Sequence, residues 1–161
     1  MLSLSITNQK ELTKLLFAGN AFDNFLLHDA VFTTAFTTTV SGIVNPEFFE
    51  ENEEAPEDHC VSWEQFRPVA MDLIRGKKLP VAFRIVLITS KRSTALMVQR
   101  AQFSGCEVSS LSMNFSYREK TLSLTTGVAY GGFSLDKSLE KYWDDAVLKF
   151  LDSKEITYEI Q

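Results

Sequence analysis

The sequence predicts an α+β protein in which a mainly antiparallel sheet is combined with about four helices. Residues 111–128 alternate between apolar and polar side chains over two adjoining segments, as the strands of a hairpin do. Other stretches repeat apolar residues every three or four positions, as amphipathic helices do. These strands and helices follow one another in mixed order, which favours α+β over a doubly wound parallel sheet. Residues 1–161 are expected to form a single globular domain.

The stretch Ser62–Ser90 is the centre of this prediction. Ser62 has the character of a helix N-cap, and Gln65 completes a capping-box pattern. Pro68 conflicts with a regular helix, so either the helix kinks there or the regular helix begins at Pro68. Gly76 is expected to follow the helix as its C′ residue. The predicted buried face consists of Trp63, Phe66, Val69, Ala70, Leu73 and Ile74.

The strand after this helix, residues 81–89, is the most apolar segment of the chain. Its side chains are apolar on both alternations, with Arg84 as the exception. A strand of this kind is normally central and covered on both sides. We therefore expect it in the middle of the sheet, with the preceding helix packed on one face.

The N-terminal part predicts a strand, a helix and a hairpin. Asn8 and Glu11 resemble a capping box at the start of the helix. From Leu26 the period changes to two, and the segment is long enough that a hairpin is expected near Thr34–Thr38. The threonines of this segment lie on one of its two alternations, which we interpret as a solvated sheet face. His28 lies on the other alternation and is expected to be partly buried.

The C-terminal part predicts two further helices, a hairpin and a short strand. Ser90 is expected to cap a helix over Lys91–Phe103, with Leu96 among its inward residues. The hairpin turns at Arg118–Thr121, and the last helix begins at Asp136. The final residues alternate as a strand.

Charge is strongly segregated along the chain, although the formal net charge is only −5. Between Glu47 and Asp58 there are seven acids and no base. We interpret residues 46–60 as an acidic loop, with a helical turn at Phe48–Phe49. Between Gln65 and Gly105 there are eight bases and one acid. The local sign of the charge therefore says more about partners than the total does.

The basic segment is the best functional lead. Arg67 and Arg75 are eight residues apart, close to two helical turns, and can share one face. Lys77 and Lys78 follow directly. These four residues are the candidate binding site, and clustered bases favour nucleic acid or an acidic protein as partner. The alternative is that helix and strand geometry spreads them around the surface.

Motifs that define a chemistry are absent from the sequence. His28, His59, Cys60 and Cys106 do not match zinc-ligand spacing, and the glycines at 127–132 do not form a phosphate loop. No metal, cofactor or catalytic residue is therefore predicted. The chain has no apolar run that could span a bilayer and no signal peptide pattern, so a cytoplasmic protein is expected.

Three hypotheses on function remain. The first is a non-catalytic binding protein whose basic patch contacts an acidic partner, with the acidic loop folding over the patch and competing. The second is a small enzyme with a site near His28, His59 or the acids of the last helix. The third is a structural oligomer subunit built by pairing sheet edges.

Several blocks of sequence resemble a known family. They are Trp63, Arg67-Pro68, Leu73-Ile74, Gly76-Lys77-Lys78, Pro80, Phe83, Thr126-Gly127, Leu135–Glu140 and Trp143-Asp144. The chain is similar here to a family of unknown function from anaerobic Gram-positive bacteria, which implies no activity. A second resemblance is to the topology of one DNA sliding-clamp domain, which is analogy at fold level. A weak internal repeat is consistent with this topology, since shifting the sequence by 57 residues places Leu12 on Val69. Two strand–helix–strand units would explain the repeat, and chance would explain it as well.

Overall fold

The computed structural model describes all residues from 1 to 161. It contains one seven-stranded antiparallel sheet and four α-helices, which confirms the predicted α+β class. The strands are β1 (Ser3–Ile6), β2 (Leu26–Thr33), β3 (Thr37–Ser41), β4 (Ala82–Ile88), β5 (Val108–Arg118), β6 (Thr121–Tyr130) and β7 (Tyr158–Ile160). The helices are α1 (Gln9–Phe17), α2 (Trp63–Ile74), α3 (Lys91–Arg100) and α4 (Ser138–Ser153), and one 3-10 turn spans Pro46–Phe48. The strand order is β3-β2-β4-β5-β6-β1-β7.

The helices and the hydrophobic core lie on one face of the sheet. Across five strands, the row of cross-strand partners on this face reads Leu4, Leu124, Phe115, Ile85 and Ala30. These side chains join the inward stripes of the helices in a core of 25 buried residues. The matching row on the opposite face reads Ser5, Ser123, Ser116, Arg84 and Val31. No helix covers that face, and we call it the open face.

β4 is the third of the seven strands, between β2 and β5, as predicted. Phe83, Ile85 and Leu87 are buried on the core face. The prediction of cover on both faces is wrong, because Arg84 is exposed and Val86 only half-buried on the open face. The cross-strand neighbours of Val86 on that face are the polar residues Asp29 and Asn114.

α2 runs unbroken through Pro68, so a helix that begins at Pro68 is ruled out. Ser62 caps it as predicted, and its hydroxyl accepts a hydrogen bond from the Gln65 amide at 3.2 Å. Val69 is exposed rather than inward. At about 100° per residue it lies at the margin of the stripe centred on Trp63 and Ala70. The helix ends through an extended Arg75, and no glycine of the chain has a positive φ.

Three other local predictions fail for lack of long-range information. Asn8 forms no capping box; its side chain donates to the Glu155 carbonyl at 3.0 Å and accepts from the Thr157 amide at 2.9 Å. His28 is exposed, because the register of β2 shifts between Leu27 and Asp29 and turns the ring outward. Leu96 is exposed, while its neighbours Met97 and Val98 pack against the core.

Both predicted hairpins are present. β2 and β3 join through residues 34–36, and the Thr residues 37 and 39 are exposed as expected. β5 and β6 join through Glu119 and Lys120, whose φ angles of 51° and 62° lie in the left-handed region.

The second of the two predicted strand–helix–strand units is incomplete. In place of a strand, only isolated bridges precede α2. The strand after α1, β2, is followed by the strand β3, whereas the strand after α2, β4, is followed by the helix α3.

Candidate functional site

Arg67, one of the four predicted binding residues, is part of the fold. Its guanidinium donates to the Asp23 carboxylate at 3.2 Å and to the carbonyl of Gly19. The two charged side chains are only 21% and 15% exposed. Arg67 therefore ties α2 to the segment between α1 and β2, and its donors point away from solvent.

The other three predicted residues lie together on the surface. Arg75, Lys77 and Lys78 are all exposed on the loop that connects α2 to β4. None of them takes part in an ion pair. The same loop continues into Leu79, which is 80% exposed, and Pro80. The chain thus brings free cations and an exposed apolar residue to one place.

A groove of about 900 Å³ opens beside this loop, between α1 and the end of α2. Its apolar lining includes Phe17, Met71, Ile74, Phe83 and Tyr117. The ring of Phe17 meets Phe83 edge-on at 5.4 Å between centroids. Grooves of this size with an apolar lining and a few polar groups are typical ligand sites.

Lysines line the rim of this groove. Lys10 and Lys14 come from α1 and Lys120 from the β5–β6 turn, and Glu11 is the single acid in the lining. None of the three lysines forms an ion pair. The Gln9 side chain donates to the Lys120 carbonyl at 3.0 Å and so holds the turn against α1. We call this feature the lysine-rimmed groove.

Sequence reasoning missed these lysines because they come from parts of the chain that are far apart. A local signal existed on α1, where Lys10, Lys14 and Phe17 follow one another at four and three positions and share a face. Lys10 and Lys14 lie on the side of α1 opposite the buried Leu12 and Leu16, and Phe17 is the buried residue at the end of that side. Nothing local pointed to Lys120.

The acidic loop lies away from the groove. Its ends are held by the bridge between Ile43 and Cys60, and the Asp58 carboxylate accepts from the Lys91 amide at 2.9 Å. Lys91 follows the C-terminal end of β4, whereas Arg75 and the lysines precede its N-terminal end. A strand of this length separates the two by about 20 Å. The loop acids form no ion pairs, so the expected fold-over of the loop onto the basic patch is not seen.

The groups considered for an enzymatic site are engaged in separate places. His28 contacts the Asp29 carboxylate at 2.6 Å on the open face, and Asp29 also accepts from Arg84 at 2.8 Å. In α4, Asp144 accepts from Thr126, and Glu140 accepts from Lys137 at 2.8 Å. No group of three or more potential metal ligands occurs in the chain.

Of the two free cysteines, Cys60 is the buried one. Burial, with a smaller contribution from the Asp58 carboxylate, raises the pKa of its thiol. A raised pKa lowers the fraction of the nucleophilic thiolate at neutral pH. This cysteine therefore belongs to the packing at the root of the acidic loop.

These features define an α+β protein that carries a lysine-rimmed groove with an apolar floor. The chain belongs to the family of unknown function DUF5721, whose family model matches residues 14–159. This confirms the predicted membership of a family without an assigned activity. Neither the curated proteins nor the solved structures include a match, so the likeness to a sliding clamp has no support from them. None of the helices combines the length and apolarity needed to cross a bilayer.

Proposed function

We propose that this is a non-catalytic binding protein whose lysine-rimmed groove takes an acidic peptide segment with an aromatic side chain. The observation that carries the proposal is the combination of an apolar floor with three lysines that have no internal partner. An aromatic side chain placed against Met71, Ile74 and Leu79 would lose its contact with water, which contributes about 2 kcal/mol. Carboxylates beside it would meet Lys10, Lys14 and Lys120.

Arg75, Lys77 and Lys78 extend the rim in this proposal. They follow the end of α2 and lead into Leu79 and Pro80, which line the groove. Exposed charges of this kind mainly accelerate encounter and orient the partner. Arg67 is left out, because its guanidinium is already bound to Asp23.

An acidic peptide fits the groove better than nucleic acid does. Phe83 is buried and stacked against Tyr117, so it offers no free ring face for a base to stack on. The chain as a whole is also negative, at −5. We treat residues 1–161 as one domain that acts in the cytoplasm, where cysteines stay reduced.

Fluorescence anisotropy with labelled peptides tests the proposal. The probe is a synthetic peptide in which two Phe residues are flanked by Glu, and it is compared with Phe→Ala and Glu→Gln versions and with a single-stranded oligonucleotide. We expect binding of the first peptide only, weakened by salt. Preferential binding of the oligonucleotide, or equal binding of all peptides, would contradict the proposal.

A pair of double variants locates the binding. Lys10→Gln with Lys14→Gln removes two rim charges from exposed positions and should weaken binding at least fivefold. The matched control is Lys141→Gln with Lys149→Gln, which removes two exposed and unpaired lysines from α4. The control should bind as the unmodified protein does.

A further inference from the structure

We infer that the acidic loop of a second copy of this chain is an occupant of the lysine-rimmed groove. This inference rests on the proposed function and names a partner for the same site. It assigns a role to the acidic loop, which the groove proposal leaves unused.

The acidic loop has the chemistry that the groove is proposed to take. Phe48 is 81% exposed, and the one ring it meets is Phe49, at 5.7 Å between centroids. Glu47, Glu50 and Glu51 flank these two rings directly in the sequence. The loop thus presents an exposed ring, next to a half-buried one, among acids that form no ion pairs. Opposite an apolar floor with unpaired lysines, the same features are complementary in polarity and charge.

The loop cannot place Phe48 in the groove of its own chain. The Val44 amide donates to the His59 carbonyl at 2.7 Å, and this contact anchors the start of the loop. Three residues lie between Val44 and Phe48, and a fully extended chain covers about 14 Å over the four steps from one to the other. The groove lies at the far end of β4, about 20 Å away along the strands. The loop can therefore fill only the groove of another molecule.

Such a contact joins two different surfaces of the protein. One molecule offers the loop and the next offers the groove, so a free loop and a free groove remain at the two ends of the assembly unless it closes into a ring. This predicts association that grows with protein concentration and falls with salt. It also means that two different variants, each defective in one surface, can complement each other.

Sedimentation velocity on the full chain tests the inference. Phe48→Ala removes the exposed ring from the loop, and Lys14→Glu reverses an exposed charge on the groove rim. We expect the unmodified protein to associate with increasing concentration and each variant to associate at least tenfold more weakly. A mixture of the two variants should form a heterodimer, since the first retains the groove and the second retains the loop. The matched control is Phe133→Ala, because Phe133 is 85% exposed and lies outside both surfaces.

The outcomes separate this inference from the proposed function. If the unmodified protein stays monomeric up to millimolar concentration while the Phe-Phe-Glu peptide still binds, the inference is overturned and the proposed function stands. If the protein associates but Phe48→Ala and Phe133→Ala behave alike, the inference is also overturned. If neither the peptide nor a second copy binds, both fail.

Discussion

Phe83 of β4 and Tyr117 of β5 are cross-strand partners whose rings stack at 5.3 Å between centroids with 19° between their planes. Phe83 is buried and Tyr117 is half-buried. The pair thus marks the place where the helical layer stops covering the core face of the sheet. Aromatic pairs of this kind add about 1 kcal/mol beyond the area they bury. They give the groove a fixed floor, and the loops around it supply the charge.

The first prediction concerns Leu79 on the wall of the groove. Leu79→Asp should weaken binding of the Phe-Phe-Glu peptide at least tenfold, because it removes an apolar contact and places a carboxylate opposite an acidic partner. The melting temperature should not change, since the side chain is largely exposed. Leu135→Asp is the control, because Leu135 is 83% exposed and lies outside the groove. Equal losses of peptide affinity in the two variants would count against the groove.

The second prediction separates structural from free arginines. Arg67→Ala should lower the free energy of unfolding by about 3 kcal/mol, because the Asp23 carboxylate is left without its partner in a mostly buried position. Arg75→Ala should change it by less than about 0.5 kcal/mol. Urea unfolding of both variants measures the difference. Similar values for the two would mean that Arg67 is not held as described.

The third prediction concerns two glycines with opposite surroundings. A Cβ at Gly42 would overlap the carbonyl of Leu27, whereas the nearest atom to a Cβ at Gly76 is 4.0 Å away. Gly42→Ala should therefore destabilise the protein by about 3 kcal/mol or more. Gly76→Ala should be neutral or slightly stabilising, since its φ is compatible with alanine. Thermal unfolding decides between the two, and a stable Gly42→Ala protein would show that the approach of β3 to β2 is looser.

The fourth prediction concerns Tyr130 at the end of β6. Burial, followed by the charge of Glu140 and a hydrogen bond to it, raises the pKa of Tyr130 to about 12 from an ordinary value of 10.0. The folded state therefore keeps its proton longer than the unfolded chain does. The free energy of unfolding should be unaffected by this group below pH 10 and should fall as the pH rises towards 12.

Alkaline titration checks the Tyr130 prediction through tyrosinate absorbance and urea unfolding. Tyr130→Phe should remove this part of the alkaline loss of stability. Tyr142→Phe, which leaves Tyr130 in place, should retain it. An unchanged alkaline profile in Tyr130→Phe would show that Glu140 does not hold the phenol.

The sequence predicted the elements that depend on local periodicity. The alternation in β5 and β6 and the helical caps at Ser62 and Ser90 depend on neighbours within a few residues, and the structure confirms them. Asn8 shows the limit, since its side chain binds backbone groups near Thr157 at the other end of the chain. No local pattern contains that contact.

The candidate site was only partly predictable for the same reason. Arg75, Lys77 and Lys78 are close in sequence and stay together on the surface. Arg67 lies on the same helix, but a partner 44 residues earlier removes it from solvent. Lys120 reaches the rim only because β5 and β6 turn beside α1. The distribution of charge along the sequence identified the basic segment. It could not identify the groove, because the groove's lining comes from distant parts of the chain.

Chemical-shift mapping shows whether the peptide binds in the lysine-rimmed groove. The amide spectrum of the isotope-labelled protein is recorded while the Phe-Phe-Glu peptide is added. We expect the largest changes on residues around the groove, among them Lys10, Lys14, Leu79 and Lys120. Changes centred on the open face at Ser116 and Ser123, or no changes at all, would contradict it.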